Sequence, residues 1–409
     1  MLHADERIAC GQCAPAYRSS VAVLEIIDPL QGQVLLHGFT SMYMSDFAAA
    51  DECIGDRPAR VSPKGAGRPG DAWQSIVAPY QQPSTTRALW QLVDTLGPYA
   101  LVWYAIFHAV QISLWAAVPL ALLSGSLLVR IFILFHDCAH GSYFRSRRAN
   151  EIVGRVLGVL TFTPYSHWRR EHAMHHSSAG NLDRRGTGDV WTMTVQEYLA
   201  ASPGRRLAYR LIRNPFVLFV VAPFFVFVIK QRFAFAKADR RQRRSIAMTN
   251  LALLGSATLF MWVVGIGPYL LVQAIAMTVA GAAGLWLFYV QHQFEGVYWE
   301  RDECWEQTAA ALRGSSFYKL PRILQWFSGN IGFHHVHHLS PRIPNYYLQR
   351  CHESDRLFQQ VRPVTLGAGW RSLTFRFWDE QGRRLVGNSH MRRLRKEQRC
   401  CAPASRVPD

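Results

Sequence analysis

Scored only for apolar and polar positions, the chain alternates long uncharged runs with basic or histidine-bearing connectors. From Tyr99 to Phe135 almost every residue is apolar, broken by His108, Gln111 and Arg130. A helix needs about 20 apolar residues to cross a hydrocarbon core. This run therefore predicts two helices, over 99–117 and 119–135, with a tight turn at Pro119 or at Ser124-Gly125-Ser126. His108 reads as a packed or cavity-facing side chain, and Arg130 lies near enough to the end to reach water with its long stem. Residues 246–264 and 269–290 are uncharged and predict a second pair of spans, with Gly265-Ile266-Gly267-Pro268 as the turn. Two shorter apolar stretches, 152–164 and 215–229, predict re-entrant or interfacial helices.

The remaining sequence frames this apolar middle. Residues 1–95 read as a largely disordered arm, since Pro, Gly and charge crowd Asp56–Asp71 and cannot bury much apolar surface. Met44-Ser-Asp-Phe47 resembles a protein start, so residues 1–43 are a candidate mis-assigned start. Residues 96–365 form the predicted membrane domain and 366–409 a basic cytosolic tail. A net charge of +17 invites a nucleic-acid reading, yet the arginines flank apolar segments. That is the pattern of residues retained on the cytoplasmic side of a membrane. The first thirty residues carry acids and no uninterrupted apolar core, so a signal peptide is not evident. Cys10-Gly-Gln-Cys13 is a lone CxxC, and the eight cysteines form no disulfide framework, which suits a reducing compartment.

Histidine adds chemistry to this picture. Eight of the sixteen histidines fill three motifs: His136-Asp-Cys-Ala-His140, His172-Ala-Met-His175-His176, and HxxHH within His334-His335-Val-His337-His338. On a helix, positions i, i+3 and i+4 share a face, so each motif can aim its imidazoles at one point. Clusters serving one metal site must lie on one side of the membrane, which requires an even number of crossings between His176 and His334. Three apolar segments lie between them, and 215–229 is the shortest, with Arg210, Arg213 and Arg232 around it. Treating it as re-entrant leaves four spans in two hairpins, with every histidine cluster cytosolic.

The order of these boxes, with apolar hairpins before the first and third, resembles the membrane-bound fatty acid desaturases. The wording around them, His136-Asp-Cys-Ala-His-Gly-Ser142, Asn181-Leu-Asp183 after the second box, and His334 to Tyr347, is similar to the acyl-lipid omega-6/delta-12 type, in a bacterial form. The resemblance covers about residues 90–365. It implies an all-α integral membrane protein: four transmembrane helices in two hairpins, in-plane helices, and a cytosolic helical cap holding a histidine-ligated di-metal site. It implies two non-haem iron ions held by His136, His140, His172, His175, His176, His334, His337 and His338. His292, in Gln291-His-Gln293, occupies the place of a ninth ligand, while His335 is left out and His167 is structural or supporting. Metal-bound imidazoles need acceptors that orient them. Asp137, Asp183 and Asp189 are near enough in sequence to serve, and Trp191, Trp286 and Phe288 are candidate linings of an acyl tunnel. The implied reaction uses O2, two electrons and two protons to remove two hydrogens from a CH2–CH2 pair in a membrane lipid acyl chain. No HPGG haem signature is present, so electrons are expected from a ferredoxin-like or cytochrome b5-like donor, and a bacterial inner membrane is the expected site. A lipid or alkane hydroxylase and a carotenoid ketolase or hydroxylase share this scaffold. A metal transporter would need ionisable residues along its spans, and these spans carry almost none.

Overall fold

The computed structural model describes residues 72–401, apart from 187, 236 and 237. Residues 1–71, with Cys10, Cys13 and Met44, lie outside the described residues. The boundary expected at residue 95 is too late. Helices α1 (Ala72–Val77) and α2 (Thr85–Ile112) already belong to the fold. Val77 is fully buried with Ile343, Leu348 and Phe358, and the Ser84 hydroxyl caps α2 by accepting the Arg87 amide.

One serine divides the first apolar run. Ser113 is extended (φ −166°, ψ 140°) and accepts the Trp115 amide with its side chain, ending α2 and starting α3 (Leu114–His140). The hairpin therefore turns at Ser113, and Pro119 and Ser124-Gly125-Ser126 lie inside α3. A side-chain cap supplied the break that proline and glycine had suggested elsewhere. Arg130 does not reach water. It is buried and bonds to Asp94, Thr95 and the Trp326 carbonyl, with its guanidinium over the Trp326 ring. His108 is exposed on α2 against Tyr104 and Phe107.

Helix α4 (Arg147–Leu160) buries Gly154 and Leu157 but exposes Ile152 and Val156. It leads to α5 (Tyr165–Ser178), a loop, strand β1 (Met193–Thr194), α6 (Val195–Ala200) and α7 (Pro203–Ile212). The apolar stretch predicted at 215–229 forms α8 (Val217–Arg232), bent 67° from α7. Its hydrogen bonding widens to π-type on both sides of Pro223, which has no N–H to give. The second hairpin is α9 (Arg240–Val264) and α10 (Ile266–His292), joined at Gly265 (φ 91°). Among the described residues α3, α9 and α10 are long and apolar enough to cross a membrane, and the α7–α8 pair adds a fourth if counted as one span. Helix α2 is not among them, diluted by residues such as His108 and Gln111.

After α10 the chain folds back over its end. The elements are α11 (Gln307–Gly314), β2 (Phe317–Tyr318), α12 (Arg322–Phe327), α13 (His334–Leu339), α14 (Asn345–Ser354), α15 (Arg356–Gln359) and β3 (Pro363–Val364). The last part, α16 (Leu366–Ser372), β4 (Phe377–Asp379), β5 (Arg384–Val386) and α17 (Asn388–Cys401), is no loose tail. Strand β4 lies parallel to β1 and antiparallel to β5. Phe377 and Trp378 are almost fully buried, because Tyr198, Tyr209 and Trp299 offer them an apolar seat. Helix α10 packs closely along α3: a Cβ on Gly125 would stand 2.6 Å from the Ala276 carbonyl. That close crossing aligns the ends of α3 and α10, where the histidines are.

Candidate metal centre

Helical spacing delivers the first rings. His136 and His140 close α3 one turn apart, while His172, His175 and His176 lie on α5 and His334, His337 and His338 on α13. His292 is the last residue of α10. Their nitrogens gather in two groups: His136, His140, His172, His176 and His337, and His175, His292 and His338, each with ligand atoms within 4.8 Å of one another. His334 joins the second group, its Nε2 3.1 Å from His292 Nε2. All nine rings named from sequence are therefore brought together, and the most exposed among them are only partly exposed.

Outer contacts decide which ring nitrogen faces inward. His136 Nδ1 lies 3.1 Å from Asp137 Oδ1, and His175 Nδ1 lies 3.1 Å from Asp189 Oδ1. Gly188 (φ 71°) makes the turn that carries Asp189 there, and a Cβ at this position would stand 3.0 Å from the His175 Cβ. His292 Nδ1 meets the Gly314 carbonyl at 3.3 Å. Carboxylates and carbonyls only accept, so these three Nδ1 atoms donate, which in the neutral, metal-binding form of the ring leaves Nε2 with the lone pair. Asp183 is not at the centre: it pairs with Arg301 at 2.5 Å and accepts the Asp302 amide, because its loop points it away from the rings.

Do these residues fit a metal? His175 Nε2 and His292 Nε2 are 3.2 Å apart, both with lone pairs forward. That repels unless a cation lies between them. His176 Nε2 has His172 Nε2 and His337 Nε2 both at 3.1 Å, and one nitrogen cannot serve two partners with a single proton or lone pair. His140 Nε2 and His338 Nε2 are buried without any partner. Two imidazoles at about 2.1 Å from one ion, about a right angle apart, hold their nitrogens about 3 Å apart. Burial also pushes His172, His176, His334, His337 and His338 well below the ordinary imidazole range, and the neighbouring rings push the same way. Neutral rings are what coordination requires. The fit is good for two ions.

His335 faces away and bonds to His352 at 3.1 Å between Phe317 and Phe333. Burial beside His352 pushes it down to about 3. His167 packs on Phe235 with Glu171 at 3.8 Å. Of the tunnel candidates only Phe288 touches the centre, with its ring 5.2 Å from His175 and 5.1 Å from His292. Trp286 packs with Phe219 and Trp370, and Trp191 packs on Tyr209. Sequence reasoning missed Trp168, which stacks on His172 at 4.3 Å. It lies four positions before His172, so its place on the same helix face was readable. It also missed the Gly314 carbonyl and Asn345, for which no local signal exists.

Comparison with known proteins agrees with the chemistry. The sequence model of the family "Fatty acid desaturase" matches residues 113–366. The chain belongs to the fatty acid desaturase family. A fatty acid desaturase of Bacillus subtilis is 46% identical over 310 residues, which cover 76% of this chain and 88% of that protein. The sn-1 oleoyl-lipid 12-desaturase of Synechocystis is 26% identical over 66% of this chain and 76% of its own length. The sn-1 acyl-lipid omega-3 desaturase (ferredoxin) of the same organism is 25% identical over 73% and 80%. The desaturase is thus an oxidoreductase of lipid metabolism. Its histidines come from segments across most of the matched region, and its apolar helices can span a membrane.

Proposed function

We propose that this desaturase uses O2 to place a cis double bond in the acyl chain of a membrane lipid, with two non-haem irons held by His136, His140, His172, His175, His176, His292, His334, His337 and His338. The carrying observation is the pair of inward lone pairs on His175 and His292, 3.2 Å apart, which calls for a cation. Imidazole ligands suit iron among other metals, and the resemblance selects iron. The metal pair supplies the oxidising power that no side chain has. The chain's own residues do the rest. Asp137, Asp189 and the Gly314 carbonyl fix the ring tautomers of His136, His175 and His292. Trp168 holds the plane of His172, and Phe288 presents an apolar wall to the centre. A dry wall of this kind favours a methylene chain over water.

A 12-type position is read from relatives 26% identical, whose names state it. The basic flanks of the apolar segments support histidines that face the cytosol, and a bacterial relative 46% identical supports a bacterial inner membrane. A ferredoxin-like donor is supported by the basic cytosolic face. Arg376, Arg384, Arg392 and Arg393 line an open cleft of about 730 Å3, suited to an acidic partner. Expression in a host with defined lipids, followed by gas chromatography with mass spectrometry, tests the reading. A new double bond supports it and its position decides the 12-type assignment. An added oxygen instead would assign the hydroxylase chemistry of the same scaffold.

A further inference from the structure

Asp137 is the only residue among the outer partners of the rings whose carboxylate is nearly inaccessible, at 1% exposure. A buried carboxylate needs donors for both oxygens. Its Oδ1 takes His136 Nδ1 at 3.1 Å. Its Oδ2 takes the backbone amide of Asn345 at 2.6 Å and the side-chain Nδ2 of the same residue at 2.9 Å. Asn345 is itself fully buried. Gln91 braces its amide from the other side: Gln91 Nε2 donates to Asn345 Oδ1 at 2.7 Å, and Asn345 Nδ2 also reaches Gln91 Oε1 at 3.2 Å. A continuous bonded line thus runs from α2, through the start of α14, to the end of α3.

We propose that Asn345 is a positioning residue for the group formed by His136, His140, His172, His176 and His337, acting through Asp137 on His136, with Gln91 holding its amide in register. This rests on the metal-holding role proposed for His136. The physical reasoning is short. An amide has one accepting and one donating end, and only one orientation of the Asn345 amide satisfies both neighbours. With Gln91 donating to Oδ1, Nδ2 must face Asp137. Asp137 is then held as an acceptor, so His136 must donate from Nδ1 and present Nε2 as a lone pair to the group. Among the described residues no hydrogen bond joins the second group to this line: His175 and His292 are oriented by Asp189 and Gly314. The line should therefore affect one half of the centre and spare the other.

The test is a Co(II) titration of the full-length, metal-free protein in detergent, followed by its visible absorption bands, together with melting of the metal-free form. Asn345→Asp keeps size and shape but replaces the donor by an acceptor facing Asp137. One of two cobalt sites should weaken on the order of 10- to 100-fold, the range for outer partners of metal ligands, while the other site is unchanged. Gln91→Glu, which removes the donor to Asn345 Oδ1, should weaken the same site by a smaller factor and serves if Asn345→Asp does not fold. Unchanged affinity at both sites overturns the inference. So does equal weakening of both sites with a lowered melting temperature, which would mark a general structural role. A wild-type protein that binds no cobalt would overturn the metal-centre reading together with this one.

Discussion

Helices α3 and α9 are both long, apolar and able to span a bilayer, yet 61% of the apolar stretch of α3 is buried in the protein and only 11% of that of α9. Helix α3 carries His136 and His140, is crossed by α10 at Gly125, and is tied to α2 through Arg130, Asp94 and Thr95. Helix α9 carries no ring of the centre and presents Leu251, Leu254 and Trp262 outward. Hydropathy alone cannot separate a helix that is core from one that is covering, because hydrocarbon and protein interior reward the same side chains. What separates them is where the polar content lies: α3 buries Arg130 and His136 in its second half against other segments, while the polar partners of α9, such as Asn250 with Arg232, keep to its first half.

That difference can be broken or sharpened by substitution. His176→Ala removes the ring whose Nε2 contacts both His172 and His337. On the proposed di-iron reading, iron bound per chain should fall and double-bond product should drop below detection, while the protein still inserts in membranes. Chelation of the wild-type protein should likewise abolish product, and re-addition of iron should restore it. Arg130→Leu leaves Asp94 without its guanidinium and the Trp326 carbonyl without a donor. Arg130 is buried but Asp94 is partly exposed, so losing the guanidinium should cost about 1–3 kcal/mol, the range for a stranded polar partner, read as a lowered melting temperature in detergent. Gly125→Val drives a side chain into the Ala276 carbonyl and Val279. Overpacking of this kind costs about 1–3 kcal/mol, and metal content should fall with it, since the α3–α10 crossing sets the spacing between the two helix ends that carry His136 and His292. Leu254→Ala on α9 is the weakest: Leu254 is 66% exposed, and the melting temperature should shift by less than about 0.5 kcal/mol equivalent. If Leu254→Ala matched Gly125→Val, the division into inner and outer helices would be wrong.

The rings of the centre were readable before any fold was known, since i, i+3, i+4 spacing on a helix is local information. His292 was placed by the family resemblance, and Asp137 and Asp189 were candidates because they lie close in sequence to the boxes; both carboxylates lie against ring nitrogens, of His136 and His175. Asp183 was equally near and is engaged elsewhere, by Arg301, because nearness in sequence does not fix the direction of a loop residue. The turn at Ser113 was missed for a similar reason: a serine cap is a weaker signal than proline or glycine. The C-terminal segment read as a tail because its charge is high, yet Phe377 and Trp378 find an apolar seat against β1 and α7 that composition cannot reveal.

By itself the sequence determined the apolar helices, the three histidine boxes and the side chains able to bind metal, for these depend on periodicity and residue chemistry within a turn or two. Only the tertiary structure decided how the rings divide into two groups, which ring nitrogen faces inward, and that Asn345, 208 residues from Asp137, holds its carboxylate. Those outcomes depend on bonds between segments far apart in the chain, and such bonds leave no mark in the spacing of either segment.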